Sequence, residues 1–187
     1  MNVIFIDFDG CLSGLTSNSY EEIEQRIKLL SEICHEYDAK VVIEAGAKIA
    51  INEETLEIDS KSQYVLFLFY LFNKYDIDVI GRTPNVRKYV GNRSCYHGMW
   101  KQDEIRLYLM RHPEIEHYCI IDDDDAGIYC GQSDLDKVRN HLVKVEAYVK
   151  DNPSLEGLQL KHKEEVGKIL KKDNDILRLM LKYKKLH

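Results

Sequence analysis

A chain of 187 residues with 44% hydrophobic content has the size of one domain and enough apolar material for a sizeable core. Its formal charge of −6 excludes a protein that coats nucleic acid through bulk electrostatics, though not a local basic patch. The longest apolar run, Val65 to Phe72, is broken by Asn73 and Lys74 far short of the roughly 20 residues a membrane-spanning helix needs, so no membrane span is expected.

Asn2 to Phe8 is a short run rich in β-branched and aromatic residues, stopped by Asp9-Gly10, and reads as a buried strand whose end carries carboxylates. It has neither a basic flank nor a small-residue cleavage site, so it does not read as a signal peptide and a cytoplasmic location is expected. From Ser19 the chain shows a helix start. Ser19 can cap, Glu22 follows three residues later, and Ile23, Ile27, Leu30 and Ile33 recur at helical spacing up to about Tyr37. Lys40-Val41-Val42-Ile43 is a second buried strand, and strand, helix, strand in this order implies a parallel crossover.

Residues 48–51 and 55–58 flank Asn52-Glu53-Glu54 and suggest a small hairpin. Ser60 to Tyr75 reads as a helix whose near-continuous apolar face implies burial or a partner surface. Asp78-Val79-Ile80 is a third strand, ended by Gly81. Gln102 to Met110 looks helical, His117 to Ile121 is a fourth strand running into four aspartates, and Leu142 to Val145 is a fifth. From Leu155 onward, apolar and charged residues alternate at helical spacing with a break near Lys172-Asp173-Asn174, so two terminal helices are expected. No repeat or linker marks a second domain, and the alternation of strands and helices predicts a three-layer α/β architecture with a parallel sheet.

Asp7 and Asp9 lie two apart at a strand's end, and Asp122 and Asp123 end another. If those strands are neighbours, both pairs meet at the carboxyl edge of the sheet, where ligands bind in open parallel sheets. Convergent carboxylates raise one another's pKa values unless a cation holds them, and a hard divalent ion, Mg²⁺ before Ca²⁺, suits them. The alternatives stay open: Asp-Gly is a common turn pair, and residues 122–125 could be a solvated acidic loop. Arg82, Arg87, Lys88, Arg93 and His97 could serve a phosphate-rich substrate or form a solvated loop, and Trp100 and Tyr96 could stack on a base or anchor the core. Lys161, Lys163, Lys168, Lys171 and Lys172 read first as a solvated helix face. Cys11, Cys34, Cys95, Cys119 and Cys130, none in Cys-x-x-Cys spacing, read as reduced thiols, and no zinc site is expected.

Val3-Ile4-Phe5-Ile6-Asp7-Phe8-Asp9-Gly10-Cys11-Leu12 resembles the first motif of the haloacid-dehalogenase-like phosphatase superfamily, an apolar strand closed by Asp-x-Asp-Gly. Cys119-Ile120-Ile121-Asp122-Asp123 resembles its fourth. Gly81-Arg82-Thr83-Pro84, Lys101 with Glu104-Ile105, and Gly157-Leu158 are similar to small, cap-poor members of the RNA-repair type. The resemblance covers about Met1 to Leu170, with residues 171–187 a further helix packed on the domain or used for contacts. It implies a Rossmann-like fold without a large cap domain and a magnesium-dependent phosphomonoester hydrolase. Asp7 would be the nucleophile, Asp9 the acid and base, and Lys101 the cation that screens nucleophile and phosphate. Asp7, Asp9 (through its carbonyl), Asp122 and Asp123 would hold Mg²⁺. The substrate would be a phosphorylated small molecule, a nucleic-acid end or another bulky phosphate.

The second motif departs from the family, because Glu44 and Ala45 follow the strand where Ser or Thr should bind phosphate. The amides of Ala45 and Gly46, the side chain of Lys48, or Arg82 and Thr83 could substitute. A competing reading is a catalytically weak or inactive binding module, with a receiver-type signalling domain a distant third.

Overall fold

The computed structural model describes residues 1–86, 99–124 and 140–171. Five strands, β1 (Asn2–Ile6), β2 (Ala39–Ile43), β3 (Val79–Arg82), β4 (His117–Asp122) and β5 (Leu142–Lys144), form one sheet in the order β3-β2-β1-β4-β5. Every pairing is parallel, and β1 lies between β2 and β4 with Ile6 opposite Ile43 and Ile121. The carboxyl ends of β1 and β4 are therefore adjacent, which brings the two acidic pairs to one edge.

Helices cover both faces. Strand residues alternate sides with period two, so Ile4 and Ile6 join one apolar cluster while Val3 and Phe5 join another. The first cluster takes α1 (Tyr20–Tyr37), α2 (Gln63–Lys74) and α4 (residues 160–171) through Ile27, Leu30, Leu68, Phe72 and Val166. The second takes α3 (Met99–Arg111) through Ile105 and Tyr108, whose ring meets Phe5 edge-on at 5.7 Å. This is the three-layer Rossmann-like α/β fold expected. The alternation also directs chemistry: Asp7 continues the Val3–Phe5 side, Glu44 continues Val42 and Asp122 continues Ile120, so all three fall on the face that α3 covers.

The start of α1 matches its sequence signal. Ser19 accepts from the Glu22 amide while the Glu22 carboxylate accepts from the Ser19 amide, the reciprocal cap that satisfies two free backbone donors. Three other expectations need correction. The hairpin is reduced to a single Ile51–Ile58 bridge, because Gly46–Ala50 is a 3-10 turn that carries Lys48 inward, and Asn52 closes the loop by accepting from the Glu54 and Thr55 amides. Gly81 lies inside β3 rather than ending it, since the Tyr108 ring packs over it and occupies the space a Cβ would need. The chain from Leu155 begins with a 3-10 turn at Pro153–Leu155, and α4 starts only at residue 160. The second terminal helix, expected beyond Lys172, lies outside the described residues. No helix among the described residues is long and apolar enough to cross a membrane. Cys11, Cys34 and Cys119 are free and buried; Cys95 and Cys130 lie outside the described residues.

Candidate active site

Asp7 leaves the end of β1 almost fully buried, and its Oδ1 accepts from the Phe8 amide at 2.7 Å, which fixes the carboxylate's rotation. Gly10 follows at φ +79, and a Cβ there would collide with the Asp123 carboxylate, so the turn brings the first strand's loop hard against the second acidic pair. Asp122 is wholly buried at the end of β4 and accepts from the Asp124 amide at 2.9 Å. One oxygen from each of Asp7, Asp122 and Asp123 lies within 4.8 Å of the others. Opposite ligands of an octahedral ion with oxygens at about 2.1 Å are about 4.2 Å apart, so the trio fits a small divalent cation with little adjustment.

Lys101, from the first turn of α3, reaches between the carboxylates. Its Nζ donates to Asp122 Oδ1 at 3.0 Å and Oδ2 at 2.8 Å, and to Asp7 Oδ2. Burial raises the Asp7 pKa above the ordinary carboxylate value, with Lys101 opposing it. Burial likewise pushes Asp122 up to about 7, again against Lys101 and with help from the Asp7 charge. Asp123 is raised by burial and then by Asp7. Burial works against the charge on Lys101, but Asp122 and Asp7 outweigh it and hold its pKa above the usual lysine value. One ammonium thus faces three carboxylates, an excess of negative charge that further positive charge would relieve.

Asp9 stands apart from this trio. It is exposed and lines a cavity on the α1–α2 side.

The residues around the second motif form a separate, sealed cluster. Glu44 is buried and accepts from Lys48 Nζ at 3.0 Å and from the Thr83 hydroxyl. Lys48 also donates to Thr83 Oγ1 at 2.8 Å and to Glu104 of α3, whose other oxygen accepts from the Val86 amide at 2.9 Å. Burial holds Glu44 up at about 8, with Lys48 opposing and Glu104 adding to the rise. Lys48 and Thr83 are thus committed to one another and to two glutamates. Arg82 donates from Nε to Ile51 O at 2.6 Å and from a guanidinium nitrogen to Thr83 O at 2.9 Å, and lies 3.6 Å from Glu53. Gly46 is exposed, with open space where its Cβ would be, so a phosphate can approach the backbone there. Arg87, Lys88, Arg93, Tyr96, His97 and Asp125 lie outside the described residues, as does the Trp100 side chain. Lys163 pairs with Glu36 at 3.0 Å, and Lys171 stacks over the Tyr37 ring at 4.7 Å, in keeping with a solvated helix face.

Sequence reasoning missed a second buried brace. Arg26 donates from Nε to Glu156 O at 3.1 Å and from Nη1 to both Leu12 O at 3.1 Å and Ser17 O at 2.7 Å. The Glu156 carboxylate accepts from the Thr16 and Ser17 amides at 2.8 and 3.0 Å. Burial pushes this carboxyl up, but the hydrogen bonds from Thr16, Ser17 and Val149 outweigh it and hold it down at about 2. The brace ties the loop after Asp9 to α1 and to the approach to α4. Its one sequence signal was Gly157, which at φ +70 lets the backbone pass close to Cys11 and Arg26.

Residues 3–149 match the family described as the HAD domain in Swiss Army Knife RNA repair proteins. The chain belongs to that family, and its α/β domain is of the haloacid-dehalogenase-like, phosphatase-type hydrolase class. No curated protein and no solved structure matches the chain.

Proposed function

We propose that the protein is a Mg²⁺-dependent phosphomonoesterase that works through an aspartyl-phosphate on Asp7. The observation that carries this reading is Lys101 bridging Asp7 and Asp122, with Asp123 alongside: a nucleophile, a screening cation and a cation-binding trio on one sheet edge. Bound between Asp7, Asp122 and Asp123, the metal would supply charge neutralisation for the nucleophile and the transferring phosphoryl group. The Asp7 oxygen attacks phosphorus and the P–O bond to the leaving alkoxide breaks, while Asp9 delivers its proton to that alkoxide. Asp9, now ionised, takes a proton from water as the water oxygen attacks the aspartyl-phosphate, releasing phosphate and restoring Asp7. Lys101 holds the Asp7 carboxylate in place and neutralises charge on the equatorial oxygens. The open edge at Gly46, with the Ala45 and Gly46 amides, replaces the hydroxyl that the second motif lacks. The family's description supports a phosphorylated RNA end as substrate.

Hydrolysis of an aryl phosphate by the full chain, with and without Mg²⁺, tests this. Metal-dependent turnover that disappears in Asp7→Asn is expected. Phosphate binding with no turnover would instead favour a binding module, the reading supported by the commitment of Thr83 and Lys48 to Glu44.

A further inference from the structure

The cavity that Asp9 lines has a volume of about 460 Å³, within the range of small-molecule sites. Three aromatic residues, Tyr20, Tyr64 and Phe67, and two amides, Asn18 and Gln63, share its wall. Tyr20 is 71% exposed at the first position of α1, and it meets Phe67 edge-on with centroids 4.8 Å apart. Tyr64 is anchored behind it by a hydrogen bond from its hydroxyl to Ser13 Oγ at 3.1 Å and by edge contact with Phe8 at 6.4 Å. One ring is thus presented to solvent and the others are held in place.

Among the described residues, no lysine or arginine lines this cavity, so these offer no charge to hold a second phosphate. Its chemistry suits a neutral, flat group with polar edges: aromatic faces stack on any base, and side-chain amides offer both a donor and an acceptor. A bare aromatic ring would use the faces but leave the amides unanswered, and an acyl chain would need neither.

We propose that this cavity receives the nucleobase of the nucleotide whose phosphate is removed, stacked on Tyr20 with its edge toward Asn18 and Gln63. The proposal rests on the phosphatase reading for the position of the phosphate, and it makes one nucleoside the recognised leaving group. Asp9 at the cavity's rim would then lie between the base and the departing oxygen, as an acid serving that oxygen must.

Adenosine and uridine, which carry no phosphate, separate the two ideas. Each is titrated into the full chain while tyrosine ring resonances are followed by NMR, with ribose and p-cresol as comparison probes. Saturable binding of both nucleosides is expected, with no binding of ribose. Tyr20→Ala should weaken it about tenfold, from the loss of one stacking partner, and Tyr20→Phe should restore it. Phe67→Ala provides a second variant that removes the contact behind Tyr20. Nucleoside binding that meets these conditions supports the base site whether or not hydrolysis is found. Failure of both nucleosides to bind, or ribose binding equally well, overturns it and leaves the phosphatase reading standing. Binding of p-cresol as tight as that of the nucleosides also overturns it, in favour of a phosphotyrosine leaving group.

Discussion

Two lysines each stand between two carboxylates at the same end of the sheet, and both arrangements draw on α3: Lys101 with Asp7 and Asp122, and Lys48 with Glu44 and Glu104. The Lys48 cluster is closed. Its lysine side chain is 6% exposed, a hydroxyl and a backbone amide fill remaining hydrogen-bonding positions, and burial raises the Glu44 pKa to about 8, which disfavours the charged form of that glutamate. The Lys101 cluster is open, with its lysine 20% exposed and a third carboxylate from Asp123 uncompensated. The same pairing of residue types therefore gives a structural tie when its members are buried and its hydrogen bonds are complete. It leaves a gap of cation size when a further carboxylate stands at an accessible edge.

The largest expected contrast comes from removing the proposed nucleophile. Asp7→Asn should lower hydrolysis by about 10³-fold or more, because an amide does not attack phosphorus, while thermal stability holds or rises as repulsion is relieved. Rates and melting curves measured side by side check this, and retention of most activity would remove Asp7 from the role. Lys48→Met should do the opposite. Loss of the buried ammonium strands Glu104, and urea unfolding should show a loss of about 3–5 kcal/mol. Little change there would mean that the closed cluster is not a tie.

Metal should distinguish the clusters next. Mg²⁺ at about 100 times its dissociation constant should stabilise the wild type by about 2.7 kcal/mol, an effect that Asp123→Asn reduces and Lys48→Met leaves in place. Equal Mg²⁺ stabilisation of the Asp123→Asn variant would place the ion elsewhere.

The smallest effect is in pH dependence. Burial raises Glu44 from 4.5 to about 8. A carboxyl whose folded pKa is raised contributes stability that is complete below about 4.5 and lost as pH rises through about 8. Glu44→Gln mimics the neutral acid, so it should match the wild type within about 1 kcal/mol near pH 5 and surpass it near pH 9. Parallel melting profiles for the two proteins from pH 5 to 9 would remove the protonated glutamate from the account.

The open cluster was legible in the sequence because each acidic pair ends its own apolar strand, a local pattern, and parallel alternation brings such ends to one edge. Lys101 came from the resemblance rather than from spacing, as the cation that screens nucleophile and phosphate, and its ammonium lies between Asp7 and Asp122. The closed cluster was half legible. Glu44 was visible as a departure, but its partners Thr83 and Glu104 lie 39 and 60 positions away, and only the packing of α3 over β2 and β3 unites them. For the same reason Lys48, read as a candidate for phosphate, is drawn into a glutamate pair. The hairpin around Asn52 failed because short alternating stretches carry the same period whether they pair as strands or turn. Gly81 misled because a glycine inside a strand and one that ends it look alike until Tyr108 is seen above it.

The brace from Glu156 to Thr16 joins residues 140 positions apart, and Glu156 lies beyond the segment, 3–149, shared with the family. A ribosome releasing this chain delivers both motif aspartates early and the residue that fixes their neighbouring loop late. A contact of such long range must wait for the chain to close upon it. A chain stopped at residue 149 would keep every carboxylate of the trio while losing the tether of the loop beside them.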